Sequence, residues 1–210
     1  GQIGALSAGS LSALASTDIQ TWSTTQLGAV TATQLAGLTT TEISDFSDTQ
    51  IGLLSSTQLR GFTTSQLNAM DTSQLNLLTA ASLSTAQIGG LGSTALNNFT
   101  TTQIGTLDAA QFRAITPLAL DSLDTAIFSS LNATQAGALT SAQVAALSTT
   151  NFTALNETTG LPSLAVSSIA GITTYQIAAL SSTQANAFTT SQIGLMNSDQ
   201  LTALIIASNA

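Results

Sequence analysis

The chain has 210 residues and a net charge of −8, and only 6% of its residues are charged, against about 25% in an average globular protein. Its only cations are Arg60 and Arg113, and it has no Lys, His or Cys. That composition excludes phosphate neutralisation and so nucleic acid as a partner, repels an anionic membrane surface, and leaves no disulfide framework or thiolate metal site. With 43% hydrophobic residues the chain is far too apolar for disorder. It can bury a core, and its surface must be built of hydroxyls and amides.

An eight-residue unit repeats from the first residues onward. Counted from its Gln, it runs from Gln2 through Ser10 and Asp18, then Gln26, Gln34, Glu42, Gln50, Gln58, Gln66 and Gln74. Three residues are missing after Ser82. The unit resumes at Gln87 and continues through Gln103, Gln111, Gln135, Gln143 and Asn151. A second irregular piece covers 156–168, and the unit returns at Gln176, Gln184, Gln192 and Gln200. Residues 1–210 therefore read as a single repeat domain with phase breaks near 82–86 and 156–168.

Position 2 of the octad is Ile or Leu, with Phe, Val or Ala in places, and position 5 is again large and apolar. Positions 3 and 4 are small. Position 6 is drawn from Ser, Thr, Asp and Asn, as at Ser7, Ser23, Thr31, Thr39, Ser47, Ser55, Thr63, Asp71 and Thr79, then Thr100, Asp108, Thr116, Asp124, Asn132, Thr140, Ser148 and Asn156; Ala15 and Gly92 depart from it. These are the residues whose short side-chain oxygen caps a helix N-terminus. Gln three residues later completes a capping box, and the flanking positions 5 and 2 form a hydrophobic staple. Pro117 follows the cap Thr116 at the first helical position, where its missing N–H costs nothing.

The octad is thus a helix-start signal written repeatedly. One long helix is excluded because apolar spacings of 3 and 5 drift around its axis by roughly 80° per octad. Glycine at positions 3 and 4 also weakens continuation. The Thr content favours strands, but positions 2 and 5 would then face opposite sides. The expected fold is all-α: a solenoid of very short capped helices, each too small to bury its own apolar face. Gly4, Gly28 and Gly52, and likewise Trp22, Phe46 and Met70, recur every 24 residues. Three octads per coil would produce that period, which residues after the first break show poorly.

Several charged and polar residues stand out as candidate sites. Arg60 and Arg113 read as solvated or locally paired cations. Glu42, Asp45 and Asp48, and Asp121 with Asp124, form acidic clusters without a calcium-loop pattern. Sequons stand at Asn98, Asn132, Asn151 and Asn156. No His, Cys or Lys is available for general-base or nucleophilic chemistry, so no enzyme, catalytic residue, cofactor or metal is expected.

The phrases SSTQLRGF (55–62), TTTQIGTL (100–107), TSAQVAAL (140–147) and TTYQIAAL (173–180) resemble the tandem TTAQIAAL-type tracts of large secreted bacterial exoproteins. Those tracts are labelled haem-utilisation or adhesion-related and look like type I-secreted surface proteins. The resemblance implies an extracellular or cell-surface structural tract, with no catalytic or ligand residues, and the absence of His leaves the haem label without support. Neither GQIGAL at the start nor LTALIIASNA at the end, where Ile205 replaces the cap residue, is dressed for water. The expectation is therefore self-association, either as a head-to-tail homopolymer or against neighbouring repeats of a longer chain. A stalk that spaces an adhesin domain, or a hydroxyl surface for ice or a glycan, are the alternatives.

Overall fold

The computed structural model describes residues 3–210; Gln2, the first octad position, lies outside them. Among the described residues every regular element is helical, and most helices are four to six residues long. They form two compact units, 3–103 and 104–210.

Each octad folds as its caps dictate. In Thr64–Ala69, Thr63 Oγ1 accepts from Gln66 N–H at 3.2 Å and Gln66 Oε1 accepts from Thr63 N–H at 2.7 Å. The same reciprocal box closes at Ser23, Thr31, Thr39, Ser47, Ser55, Ser84, Thr100, Asp108, Asn132 and Thr140. Among the described residues no left-handed residue ends a helix. Instead position 5 turns extended and position 6 follows it, as at Met70 (φ −64°, ψ 143°) and Asp71 (φ −77°, ψ 173°). Two consecutive extended residues make a corner, and the next helix starts from it. Positions 2 and 5 both point inward: Leu59, Phe62, Leu67, Met70, Leu75 and Leu78 are all buried.

Some expected caps differ. Thr79 makes no side-chain cap, because only a single 3-10 turn, Ala80–Ser82, follows it. Asp71 accepts from Gln74 N–H, but Gln74 does not close a box with it. Asn156 caps a turn rather than a helix, accepting from Thr158 N–H and Thr159 N–H. At Ile205, which has no cap oxygen, the helix runs on, so that Ser198–Ser208 spans 11 residues.

Within the first unit Ala32–Ala36 packs on Ala8–Ser12, Thr64–Ala69 on Thr40–Ser44, and Thr72–Leu77 on Asp48–Gly52. Each is a helix against the one that begins 24 residues earlier, three octads per coil. Trp22 and Phe46 meet edge-on, ring centroids 6.0 Å apart. The second unit stacks likewise, Ala133–Ala138 on Ala109–Ala114 and Ser141–Ala146 on Pro117–Asp121. In the irregular segments 3-10 turns fill helix slots. Ala80–Ser82 lies on Ser56–Leu59, Leu161–Ser163 on Ala133–Ala138, and Val166–Gly171 on Ser141–Ala146.

Glycines at position 4 mark close approach between coils. A Cβ on Gly61 would lie 2.5 Å from Ala32 O, and one on Gly37 2.4 Å from Ala8 Cβ. Gly28, at position 3, has open space around it. No described glycine has a positive φ, so proximity rather than conformational freedom is the reason for glycine at position 4.

Candidate functional site

The recurring polar feature of the molecule is the corner glutamine. Capping uses only its Oε1. The side-chain amide Nε2 crosses to the coil below and donates to the two carbonyls that precede the corner there. Gln66 donates to Leu35 O at 2.8 Å and Leu38 O at 2.6 Å, which lie 31 and 28 residues back. Gln58 reaches Leu27 O and Val30 O, Gln135 reaches Ile104 O and Leu107 O, and Gln200 reaches Ile169 O and Ile172 O, all at the same two offsets. Where the 3-10 turn shortens one side, the offsets contract to 28 and 25, as for Gln87 on Leu59 O and Phe62 O. These glutamines are buried, and among the described residues no buried side-chain polar atom lacks a partner.

A glutamine of this kind, such as Gln58, Gln66, Gln135 or Gln200, thus satisfies a helix N-terminus in its own coil and two carbonyls in the coil below. Burying an amide is tolerable only when both halves are bonded. The sequence carried a signal for this second role. Glu would serve a capping box, and its charge suits a helix N-terminus, yet Glu stands there once, at Glu42, and Gln fills most octads. Only the amide supplies a donor as well as an acceptor.

Three of the departures from Gln are locally compensated. Glu42 closes its box with Thr39 N–H at 2.6 Å, and its other oxygen accepts from Ser12 Oγ of the coil below, also at 2.6 Å. Burial pushes the Glu42 carboxyl up, but the bonds from Ser12 and from the Thr39 N–H and hydroxyl outweigh it and hold the pKa below its ordinary value. Asn151 is one methylene short of its own cap. It donates instead to Asp121 O at 2.7 Å and Asp121 Oδ1 at 3.0 Å, and Asp121 Oδ1 reaches up to accept from the cap's Ser148 N–H at 2.7 Å. At Ala15, which has no cap oxygen, only Asp18 Oδ2 accepts from the cap N–H.

The other singled-out residues serve the same stacking. Arg60 Nε donates to Ser82 O at 3.0 Å and Arg113 Nε to Ala138 O at 3.3 Å, each on a neighbouring coil. Asp48 Oδ1 accepts from Ser73 Oγ, and Asp124 caps its helix through Ala126 N–H. The N–H of Gln74, then the Ser73 hydroxyl, lower the pKa of Asp71. Among the described residues no group of His, Cys, Asp or Glu could hold a metal ion, and no helix is long and apolar enough to cross a membrane. Of the sequon asparagines, Asn151 is buried and bonded, Asn132 caps its helix, and Asn98 Oδ1 accepts from Thr72 Oγ1.

Residues 169–205 match the model of the ALTTAQ repeat. The chain is built of TTAQ-type repeats: Thr173, Gln176, Ile177 and Leu180 within that match hold the cap, bridge and two core positions seen throughout both units. No curated protein and no solved structure matches the chain.

Proposed function

We propose that this chain is a structural segment of an extracellular or cell-surface repeat protein, and that its coils stack end to end to build a filament. The observation that carries the reading is the polarity of the glutamine bridge. Every coil offers amide donors on one side and carbonyl acceptors on the other, so coils add in one direction with the same bonds each time. A contact of that kind does not close on itself and propagates as a fibre. The rest of the surface is chemically quiet, with ten carboxylates, two arginines and rows of hydroxyls. Many of those hydroxyls are engaged in caps, at Thr31, Thr39 and Thr63 for example, which argues against their use as an ice- or glycan-binding lattice. The resemblance to secreted exoprotein tracts supports an exported location.

Electron microscopy of the purified chain tests the filament. Fibres one solenoid wide are expected as concentration rises. Particles that stay monodisperse and monomeric up to millimolar concentration would remove self-assembly from the reading and leave a passive spacer.

A further inference from the structure

Four Asn-x-Thr triplets stand in the chain, at Asn98, Asn132, Asn151 and Asn156, and the fold treats them differently. Asn151 is buried with its amide bonded to Asp121, and Phe152, the middle residue of its triplet, is fully buried. Asn98 precedes the buried Phe99, and the Thr100 hydroxyl of its triplet donates to Gln103 Oε1. Asn132 is exposed, but its Oδ1 caps Ala133–Ala138 through Gln135 N–H at 3.0 Å, and Ala133 and Thr134 belong to that helix. Drawing this triplet out would unwind the turn that holds Gln135 on Ile104 O and Leu107 O.

Asn156 stands apart. Its triplet, Asn156–Glu157–Thr158, lies in a turn that leads into the short 3-10 stretch Leu161–Ser163 rather than into an α-helix. Glu157, Thr158 and Thr159 are exposed, and Asn156 is half-buried. The neighbouring coil holds this turn weakly. Thr159 falls eight residues after Asn151, at the octad position of the bridging glutamine. In place of two amide bonds it makes one long hydroxyl contact, Thr159 Oγ1 to Leu131 O at 3.5 Å. Exposed turns with few such ties open at little cost.

The donors around Asn156 give its amide a chemical bias. Oδ1 accepts from Thr158 N–H at 2.7 Å, from the Thr158 hydroxyl at 2.5 Å and from Thr159 N–H at 3.1 Å. Among the described residues nothing bonds Nδ2. An amide nitrogen is a poor nucleophile because its lone pair is delocalised onto the carbonyl oxygen. It gains nucleophilicity as it loses a proton and charge collects on that oxygen, and donors already aimed at the oxygen stabilise the charge. At Asn132 only Gln135 N–H donates to Oδ1.

We propose that Asn156 is the residue at which this folded chain accepts an N-linked glycan, taken from a sugar diphosphate by a separate glycosyltransferase. The Nδ2 lone pair attacks the anomeric carbon and forms the N–C1 bond. The C1–O bond to the diphosphate breaks, the diphosphate leaves with the electron pair, and the Nδ2 proton passes to a base of the transferase. Thr158 acts as a positioning residue through its two bonds to Oδ1. A bulky hydrated group at this turn would add solubility to a surface that carries few charges. The acceptor site goes beyond the filament and does not depend on it, since a chain that stays monomeric still carries it.

Glycosylation of the purified chain in vitro tests the site. One arm supplies a nucleotide-diphosphate hexose with a soluble transferase that acts on Asn-x-Thr. The other supplies a polyprenyl-diphosphate oligosaccharide with a membrane-bound transferase of the same specificity. Each arm uses the folded chain and, in parallel, proteolytic peptides that carry the four triplets without the fold, and mass spectrometry reads the occupancy of each asparagine. In the folded chain Asn156 should be modified at least ~10-fold faster than Asn98, Asn132 or Asn151, because those three require local unfolding. The peptides should level that difference, and the mass added in the productive arm identifies the donor. Thr158→Ala should slow modification of Asn156 by at least ~10-fold, about the worth of one hydrogen bond to a group gaining charge. Thr158→Ser should restore most of it, with far-UV circular dichroism confirming that both variants keep their helices. Asn156 left unmodified in both arms overturns the proposal, as does Asn132 modified as fast as Asn156 in the folded chain. The same preference for Asn156 in the peptides would overturn selection by the fold, and a Thr158→Ala chain modified like wild type would overturn the role of Thr158.

Discussion

Replacing Gln66 by Glu separates the two halves of the corner amide. The carboxylate can still accept from Thr63 N–H, as Glu42 does from Thr39 N–H. What is lost is the donor to Leu35 O and Leu38 O. Leu35 O also accepts from Leu38 N–H and is not stranded, but Leu38 O would be left facing a carboxylate at a site now 2% exposed. An orphaned buried acceptor costs about 1–3 kcal/mol, and the uncompensated charge adds to it, so Gln66→Glu should lose about 3 kcal/mol at pH 7. Gln26→Glu is the control. Gln26 is exposed and bonded only through its Oε1 to Ser23, so the same change should stay within about 0.5 kcal/mol. Urea denaturation followed by far-UV circular dichroism measures both. The variant also carries its own pH signature. Burial raises the folded pKa of a carboxyl at position 66, so its neutral form is favoured in the fold, and protonation returns one donor. The deficit should shrink at acid pH and grow as pH rises from the unfolded value of about 4.3 through the raised folded one. Equal losses for Gln66→Glu and Gln26→Glu would refute the bridging role and leave the glutamine as a cap alone.

Three further outcomes follow from the same contacts. Glu42 has a lowered pKa, so its contribution is fully present above its ordinary 4.5 and is lost as pH falls through the folded value. Glu42→Gln should flatten the acid limb of a melting-temperature profile between pH 2 and 5 and leave pH 7 stability nearly unchanged; an unaltered acid limb would count against the Ser12 contact. Gly61→Ala forces a Cβ onto the Ala32 backbone and should cost about 1–3 kcal/mol. Gly28→Ala, inside a helix with open space around it, should gain about 0.5–1 kcal/mol, and thermal denaturation that ranks the two the other way would contradict the packing. Asp121→Ala removes the acceptor for Ser148 N–H and a partner of Asn151, costing about 2 kcal/mol. Adding Asn151→Gln should restore much of that by closing the ordinary box, which a double-mutant cycle measures.

The local half of this fold was legible because it is written within eight residues. Position 6 supplies the cap, position 1 the return bond, and positions 5 and 2 the staple, and all four act between residues at most five apart. What the sequence did not disclose acts across coils. The Nε2 donor of Gln66 finds its acceptors 28 and 31 residues away, and a capping box accounts for the same side chain without them. Gly61 looked like a helix breaker; its reason is the Ala32 backbone on the neighbouring coil. Between Ala109 and Ala146 the helices still stack every 24 residues, but beyond 156 the period breaks because Leu161–Ser163 and Val166–Gly171 fill helix slots with 3-10 turns. The stacking is kept while the numerical period is not. In the sequence Asp121 is one of an acidic pair with Asp124, and nothing near it in the chain shows that Asn151, 30 residues on, needs its carboxylate.

These compensations bear on how so uncharged a chain fixes its register. Octads of nearly identical sequence could slide past one another by eight residues and still cap and staple every helix, since those signals are local. The glutamine bridge does not prevent such a slip by itself, because every corner offers the same two carbonyls. Irregular corners do. Asn151 needs Asp121, Glu42 needs the Ser12 hydroxyl, and Arg60 needs the carbonyl that the Ala80–Ser82 turn presents. A slip of one octad would carry Glu42 from Ser12 to Gln20 or Gly4, and Asn151 from Asp121 to Ser129 or Arg113. It would break paired substitutions that are cheap only in the native register, each by an amount comparable to a lost buried hydrogen bond, about 1–3 kcal/mol. The uniform glutamines make coils stackable, and the sparse exceptions select one stacking among many, which is the requirement that an identical repeat cannot meet alone.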